Sequence, residues 1–396
     1  MDINAAKKAV LAAGVKLVEA GLIARTWGNV SCRVDEDSFI ITPSGRSYRS
    51  LTPADLVQVK ICDLSYQGEI KPSSEKRIHA EVYQLHPEMN FVIHTHQDNA
   101  SVIAATGLKA IEVGGKYPTL GGRVICADYA LPGTKALQKR VRTALEESKG
   151  QAVIMKHHGA LCYGVDADET FRVASELEEA CADFVINHYL KQSKAANYNL
   201  ADLVSFALGQ NNKAGVASDQ MLKTYAESRR TDHGLIWNDG EKELEIAADQ
   251  SLAGLPEAVQ LYRTIYDKNK QINQISFKAT PEILGVASAG LTLKPLLDDC
   301  AQIIGVQVRA VDHHNYDEIA QALTKSAAVF LSNRGALCCG ETSNDVMAVE
   351  MILQKSCQAL IGASLFGKVR PINPVESWLM HFVYRKKYSK QAERNR

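Results

Sequence analysis

The sequence predicts a mixed α/β protein in which one structural motif is used twice, and three observations carry that expectation. Short apolar runs with strand spacing interleave with amphipathic helix patterns, without the regular βαβ alternation or the G-x-G-x-x-G turn of a doubly wound dinucleotide domain. The stretch AVIMKHHGALCYG at 152–164 returns as AVFLSNRGALCCG at 328–340, identical at seven of thirteen positions and offset by 328 − 152 = 176. The apolar helix spacing that follows the first copy is also repeated after the second, over 345–360.

Each element follows from local patterning. Asn4 to Ala20 places Ala, Val and Leu at helical spacing, and Gly21 is suited to end that helix. Asn29 to Arg33 and Phe39 to Thr42 are strand-like, and Pro43-Ser44-Gly45 is a turn. Glu75 to Leu85 reads as a helix with Ile78, Val82 and Leu85 on one face. A strand opening at Phe91 runs through His94 and His96, and a helical segment ends at Gly107. Thr134 to Glu147 is a helix, and Ala152 to Met155 and Ala160 to Tyr163 are strands around Lys156-His157-His158-Gly159. Ala167 to His188 is the clearest amphipath, with Phe171, Ala174, Leu177, Cys181, Phe184 and Val185 at three- and four-residue steps.

The chain turns polar from about Leu200 to Ser251, with Gly-Gln-Asn-Asn-Lys at 209–213 and Asp-Gly-Glu-Lys at 239–242, which reads as a connection. The expected organisation is therefore a first domain over 1–200, a connecting segment over 201–250, a degenerate copy over 251–375 and a C-terminal tail over 376–396. The copy shows no recognisable counterpart of the first seventy-odd residues.

Composition removes several function classes. Forty-five Lys and Arg balance forty-five Asp and Glu, so no global field favours nucleic acid or an anionic membrane. Residues 385–387, Arg-Lys-Lys, read as part of a solvated tail. No run of eighteen apolar residues is present, and MDINAAKKAV reads as a polar helix start rather than a signal peptide, so a cytoplasmic location is expected. Nine cysteines without a C-x-x-C pair read as buried reduced thiols, including Cys338 and Cys339, which as strand neighbours face opposite ways.

The chemistry concentrates at FVIHTHQDNA, residues 91–100. Strand alternation points His94 and His96 to one face, and two imidazoles on one face can grip one metal ion. His157 and His158 are both candidates for a third ligand, and Glu75 for a fourth. Three histidines around Zn²⁺ or a similar ion leave a position for substrate. In a weaker extension of the repeat, Gln274 to Lys278 can be laid on Val92 to His96, so that Ser276 and Lys278 fall opposite His94 and His96, and within the repeat itself Asn333 and Arg334 fall opposite His157 and His158. One copy keeps its histidines and the other has none of them, which separates chemistry from packing. Gly28-Asn29-Val30-Ser31, Thr42-Pro43-Ser44-Gly45 and Ser73-Ser74 offer backbone N–H groups and small polar side chains suited to an anion.

Taken together, G-N-V-S (28–31), T-P-S-G (42–45), S-S-E-x-x-x-H (73–79), H-T-H (94–96) and H-H-G (157–159) resemble the class II aldolase/adducin family over roughly Asn4 to Leu190. The resemblance implies a three-layer α/β sandwich, duplicated here, with a shortened second copy lacking metal ligands. It implies His94, His96 and His158 as zinc ligands and Glu75 as the catalytic carboxylate, which also touches the metal when substrate is absent. Cobalt or manganese would suit the same imidazoles. It implies Asn29, Ser44, Gly45, Ser73 and Ser74 as phosphate-binding positions, with His79 structural and His157 in a supporting place. The expected reaction is reversible cleavage of a ketose 1-phosphate into dihydroxyacetone phosphate and an aldehyde. Epimerases, decarboxylases, dehydratases and the non-catalytic adducins share the scaffold. Where the resemblance implies a proton-donating tyrosine, the chain carries Ile111-Glu112-Val113-Gly114-Gly115, with Tyr117 and Tyr129 nearby. A homo-oligomer is expected, either a tetramer or a dimer whose second copies occupy neighbour positions. The partner is a small sugar phosphate.

Overall fold

The computed structural model describes residues 2–22, 28–210 and 219–394, and the chain divides into two compact units, Met1–His188 and Tyr189–Arg396. The first unit runs α1 (Ile3–Glu19), β1 (Asn29–Arg33), β2 (Ser38–Ile41), β3 (Val57–Lys60), α2 (Lys76–Leu85), β4 (Phe91–Thr95), α3 (Asp98–Thr106), β5 (Ala110–Glu112), β6 (Arg123–Ala127), α4 (Lys135–Glu147), β7 (Ala152–Met155), β8 (Ala160–Gly164) and α5 (Ala167–Ser193), whose last residues enter the second unit. Its sheet has the order β3-β2-β1-β4-β8-β7-β6-β5, with β6 and β7 parallel and the other neighbours antiparallel.

Alternation along the strands builds a layer on each face. Phe39, Ile41, Val92, Val153, Met155, Leu161 and Tyr163 pack with Ile78 and Val82 of α2 and Leu137 and Val141 of α4. On the other face Cys181 of α5 lies near Cys126 and Cys162, and Lys16 of α1 sits 4.1 Å above the Phe171 ring of α5. The result is the helix–sheet–helix sandwich expected. Val92 belongs to the α2 face, so His94, two residues on, is turned towards the start of α2. Strands β3, β5 and β6 carry no clear signal in the sequence reading. The first is half-exposed and alternating, and β5 has only three residues.

The second unit contains α6 (Leu200–Ala207), α7 (Asp219–Thr224), β9 (Glu227–Thr231), β10 (Gly234–Asn238), β11 (Glu243–Ala247), α8 (Glu257–Lys268), β12 (Gln274–Lys278), α9 (Pro281–Ser288), α10 (Asp298–Ile303), β13 (Ala310–Val311), α11 (Tyr316–Ala322), β14 (Ala328–Leu331), β15 (Gly335–Gly340), α12 (Ser343–Ser364) and α13 (Pro374–Arg394). Its sheet order, β11-β10-β9-β12-β15-β14-β13, is that of the first unit, and among the described residues it has no counterpart of β5.

Three features differ from the sequence reading. The stretch 201–250 holds two helices and the strands β9, β10 and β11, which occupy the places of β1, β2 and β3, so the opening of the first domain does have a counterpart. In β9 and β11 exposed Glu and Arg residues alternate with few buried ones, which makes their sequence look like a linker. Residues 211–213 of the polar run lie outside the described residues. Residues 376–394 fall within α13, whose buried Ser377 and Met380 and the 2.9 Å contact of His381 Nδ1 with Gln302 O anchor it beside α10.

The third difference is one of register. In the first unit His94 pairs with Leu161, and in the second Phe277 pairs with Leu337, the equivalent of Leu161. His94 therefore corresponds to Phe277 and His96 to Ala279, not to Ser276 and Lys278. The glycines agree: a Cβ on Gly159 would lie 2.2 Å from Thr95 O, and one on Gly335 2.4 Å from Lys278 O. The offset is 337 − 161 = 176 at the second strand but 277 − 94 = 183 at the first, and laying Ser276 on His94, an offset of 276 − 94 = 182, falls one residue short of the true register. A slip of one residue puts every side chain on the wrong face.

Candidate active site

His94 lies in the last turn of pairing of β4, between β1 and β8, where Asn29 is its partner on one side and Leu161 on the other. His96 follows just beyond the strand end. Its segment is held by α5: Gln97 Nε2 donates to Ala174 O at 3.0 Å, while Glu178 accepts from the backbone N–H of Asn99 and Ala100 at 2.7 and 3.1 Å. His158 is fixed by the β7–β8 turn, closed by His158 N donating to Met155 O at 3.1 Å. That turn needs a positive φ of 62° at His157, and the equivalent Asn333 has 60°. Gly159 is required because any Cβ would strike the Thr95 carbonyl and approach His94 Cε1 to 3.1 Å.

These constraints bring three buried imidazoles together, with ligand atoms all within 4.8 Å of one another. The His94 and His96 Nε2 atoms are 3.0 Å apart, and the His94 and His158 rings stack at 4.7 Å. Glu75, at the start of α2 and 8% exposed, spans the cluster: Oε1 is 2.8 Å from His158 Nε2 and Oε2 is 3.1 Å from His94 Nε2. His94 Nδ1 lies 2.8 Å from Ala160 O, a carbonyl that only accepts, so that nitrogen carries the proton and Nε2 presents a lone pair. His94 Nε2 thus faces both another imidazole nitrogen and a carboxylate oxygen. One proton on His96 could serve only one of these atoms, whereas a cation satisfies the acceptors together. The donor set fits a Zn²⁺-like ion held by His94, His96 and His158, with Glu75 beside it.

Burial pushes the Glu75 carboxyl up, and the His158 and His94 rings more than reverse that, holding it well below the usual carboxylate range. It is therefore ionised at neutral pH. The anion-cradle residues gather on the same side. Thr42 O accepts from Ser73 N at 3.0 Å and Lys71 O from Ser44 N at 3.1 Å, which lays the Pro43-Ser44-Gly45 turn against Ser73 and Ser74. Gly45 has φ 74°, Ser74 is exposed and Ser73 Oγ accepts from Glu75 N at 3.2 Å. Asn29 reaches the same place, its Nδ2 donating to Glu75 Oε2 at 3.1 Å.

The residues singled out in the sequence are thus assembled, and others join them. His79, fully buried, contacts Asn29 Oδ1 through Nε2 and Ser31 Oγ through Nδ1 at 2.7 Å, and Ser31 Oγ meets Tyr83 OH at 2.7 Å. Burial, with His94 nearby, depresses His79 to about 3, so the ring is neutral. Glu178, Gln97 and Tyr83 carried no sequence signal, and Ser31, read in the sequence as part of an anion cradle, is instead fully buried with its hydroxyl on His79 and Tyr83. Tyr117 donates its hydroxyl to Asp183 at 2.7 Å, and the Tyr129 ring lies 5.3 Å from that of His157, the neighbour of His158 in the turn. In the second unit the positions of His94, His96 and His158 hold Phe277, Ala279 and Arg334.

A family model for the class II aldolase and adducin N-terminal domain matches residues 8–185 and again 222–361. The chain is 31% identical over 179 residues to the L-fuculose phosphate aldolase of Escherichia coli (strain K12), covering 45% of this chain and 81% of that protein. It is equally similar, 31% over 179 residues, to the 5-deoxy-D-ribulose 1-phosphate aldolase of Bacillus thuringiensis serovar kurstaki, with 45% and 83% covered. A solved L-fuculose 1-phosphate aldolase is 29% identical, covers 50% of this chain and 91% of its own, and has a TM-score of 0.43.

Proposed function

The chain belongs to the class II aldolase and adducin family, and from that premise we propose that it is a metal-dependent aldehyde-lyase that cleaves or forms a ketose 1-phosphate, with dihydroxyacetone phosphate and an aldehyde as the other partners. The observation that carries this reading is the placement of the Glu75 carboxylate between His94 and His158 of a buried triad and next to an anion cradle. The similarity to two sugar-phosphate aldolases supports the substrate class.

In this reading His94, His96 and His158 hold the ion, Zn²⁺ by preference and Co²⁺ or Mn²⁺ as substitutes. When bound, the ion supplies positive charge against the negative charge that develops on the substrate oxygens. The chain's own residues do the rest. Ser44, Gly45, Ser73 and Ser74 receive the phosphate on hydroxyl and backbone donors, and Asn29 adds the Nδ2 hydrogen not used by Glu75. With the phosphate fixed, the carbon next to the carbonyl sits at Glu75, which takes its proton in one direction and returns it in the other. Tyr129, whose ring lies 5.3 Å from that of His157, is the phenol assigned to the aldehyde side.

One observation favours a second reading. The absence of a tyrosine at 111–115 suits another reaction on the same scaffold, such as epimerisation, decarboxylation or dehydration of a sugar phosphate. NMR analysis of products from a panel of ketose 1-phosphates decides between them. Release of dihydroxyacetone phosphate supports the aldolase, and a rearranged or dehydrated sugar removes it.

Association of copies is part of the proposal. On α13, Val375, Trp378, Leu379, Phe382 and Val383 are exposed at i, i+3, i+4, i+7 and i+8, one continuous apolar face. A second copy of the chain is the occupant that fits. In an antiparallel pair with Trp378 opposite Val383, Glu376 falls opposite Arg385, so charges complement where the apolar row ends. Mass photometry of the wild type and of Trp378→Lys tests it: the wild type forms dimers or larger assemblies and the variant dissociates, whereas a monomeric wild type contradicts the proposal. Among the described residues, no helix is long and apolar enough to cross a membrane.

A further inference from the structure

The duplicated architecture acts as an internal control on the first site. Both units keep the same Arg–Tyr–Ser scaffold behind the sheet. Arg33 donates to Tyr83 O at 2.6 Å and to Met89 O at 3.1 Å, and Arg230 donates to Tyr266 O at 2.6 Å and to Ile272 O at 3.0 Å. Their guanidinium groups lie 4.7 and 4.8 Å from the Tyr83 and Tyr266 rings. The hydroxyls of Ser31 and Tyr83 meet at 2.7 Å, those of Ser228 and Tyr266 at 3.2 Å. Strand pairing confirms the match, since Ser31 pairs with Val92 and Ser228 with Ile275, which are equivalent positions.

Three residues do change together on this frame. Counting from the Tyr83–Tyr266 and Ser31–Ser228 pairs, Glu75 becomes Ala258, His79 becomes Tyr262 and Asn29 becomes Ala226. Tyr262 spans the gap with its hydroxyl, donated to the backbone carbonyls of Tyr225 and Ala226 at 2.7 and 2.8 Å. The fold therefore needs a bulky polar ring at this place, but not an imidazole. The imidazole accompanies the carboxylate.

We propose that His79 is a positioning residue, which through Asn29 locks the Glu75 carboxylate in its place between His94 and His158. The direction of every hydrogen bond in the chain is forced. The carboxylate only accepts, so Asn29 must present Nδ2 to Glu75 Oε2 and Oδ1 to His79. His79 then carries its proton on Nε2 and accepts on Nδ1 from Ser31 Oγ–H, and Ser31 accepts in turn from Tyr83 O–H. Ser31 and His79 are fully buried and Tyr83 is 2% exposed. In so dry a setting, with five polar groups engaged in series, reversing one bond breaks its neighbours. The chain sets the Asn29 amide, and the Asn29 amide sets the rotation of the carboxylate.

The inference rests on Glu75 being the proton-transfer group, and its test separates the two claims. In the full-length protein with uniformly [¹⁵N]histidine-labelled rings, His79 should appear as the Nε2–H tautomer at every pH from about 6 to 8, with or without metal. A signal from an Nδ1–H tautomer overturns the proposal whatever the activity. Glutamine can accept from Ser31 and donate to Asn29, so His79→Gln should exchange the protons of dihydroxyacetone phosphate with solvent within about threefold of wild type. His79→Leu should lose about 10- to 100-fold in kcat, with KM within about threefold and metal content unchanged, because a misplaced carboxylate costs rate rather than binding. Equal rates for the Gln and Leu variants, or loss of metal with the rate, overturn the proposal. A wild type that exchanges no proton refutes the assigned activity, and the tautomer signal then still decides whether the chain runs as described.

Discussion

Replacing Glu75 by Gln removes the group that moves the proton while keeping nearly its shape. The carboxylate oxygens stand 2.8 Å from His158 Nε2 and 3.1 Å from His94 Nε2, and Oε2 also accepts from Asn29 Nδ2 at 3.1 Å. An amide can keep its oxygen towards Asn29 and turn its NH2 towards His158, so no clash arises and the triad stays assembled. What is lost is a base, normally worth about 10²- to 10⁴-fold in rate, or about 3–5 kcal/mol of barrier. Holoprotein in D2O with dihydroxyacetone phosphate, followed by ¹H NMR, reads that step without requiring the aldehyde. The expected result is exchange lowered at least 100-fold with the metal still bound. Exchange within tenfold of wild type in a metal-loaded variant refutes the role given to Glu75.

Other outcomes follow from the same geometry. Gly159→Ala and Gly335→Ala meet Thr95 O and Lys278 O at 2.2 and 2.4 Å, and each should destabilise its own unit by about 1–3 kcal/mol or more, read as a lower melting temperature in calorimetry. Only Gly159→Ala should also weaken metal binding, and an equal effect of the two on metal content contradicts the assignment of the site to the first unit. His157→Asn, which copies Asn333 and tolerates the positive φ, should retain metal by plasma mass spectrometry, whereas His158→Ala should lose it; the reverse would make His157 the ligand. His79 is depressed to about 3 in the folded state against an ordinary value near 6.5, so the unfolded chain binds a proton that the folded one refuses. Its stability is whole above about pH 6.5 and falls as pH drops towards 3, by at most about 5 kcal/mol. His79→Gln should flatten the dependence of melting temperature on pH between about 4 and 6.5, and an unchanged slope would mean that other groups govern acid unfolding.

Much of this was legible in the sequence because the site is made of consecutive or nearly consecutive residues. H-T-H lies on one strand and its end, H-H-G in one turn, and S-S-E at the start of one helix, so spacing groups their side chains, while the choice of His158 over His157 comes from the family resemblance. The helices α2, α4 and α5 showed themselves by their apolar stripes. Strands β9 and β11 did not, because strands with exposed Glu and Arg along one face read as polar linker. The register of β12 was hidden by the change of offset from 176 to 183 between the two halves of the repeat, and only the pairing of Phe277 with Leu337 reveals it. His79 reads as structural in the sequence, since a helix histidine four residues after Glu75 has no local sign of its partners, which come from β1, about fifty residues earlier.

The central claim is that one metal ion sits in the first unit on His94, His96 and His158. Its most direct test is the metal content per chain of protein purified without chelator, by plasma mass spectrometry, with His96→Ala prepared in parallel. The account predicts about one ion per chain in the wild type and loss of that ion in the variant. A wild type that holds no metal and takes up none from added zinc, or a His96→Ala protein that keeps a full equivalent, would contradict it.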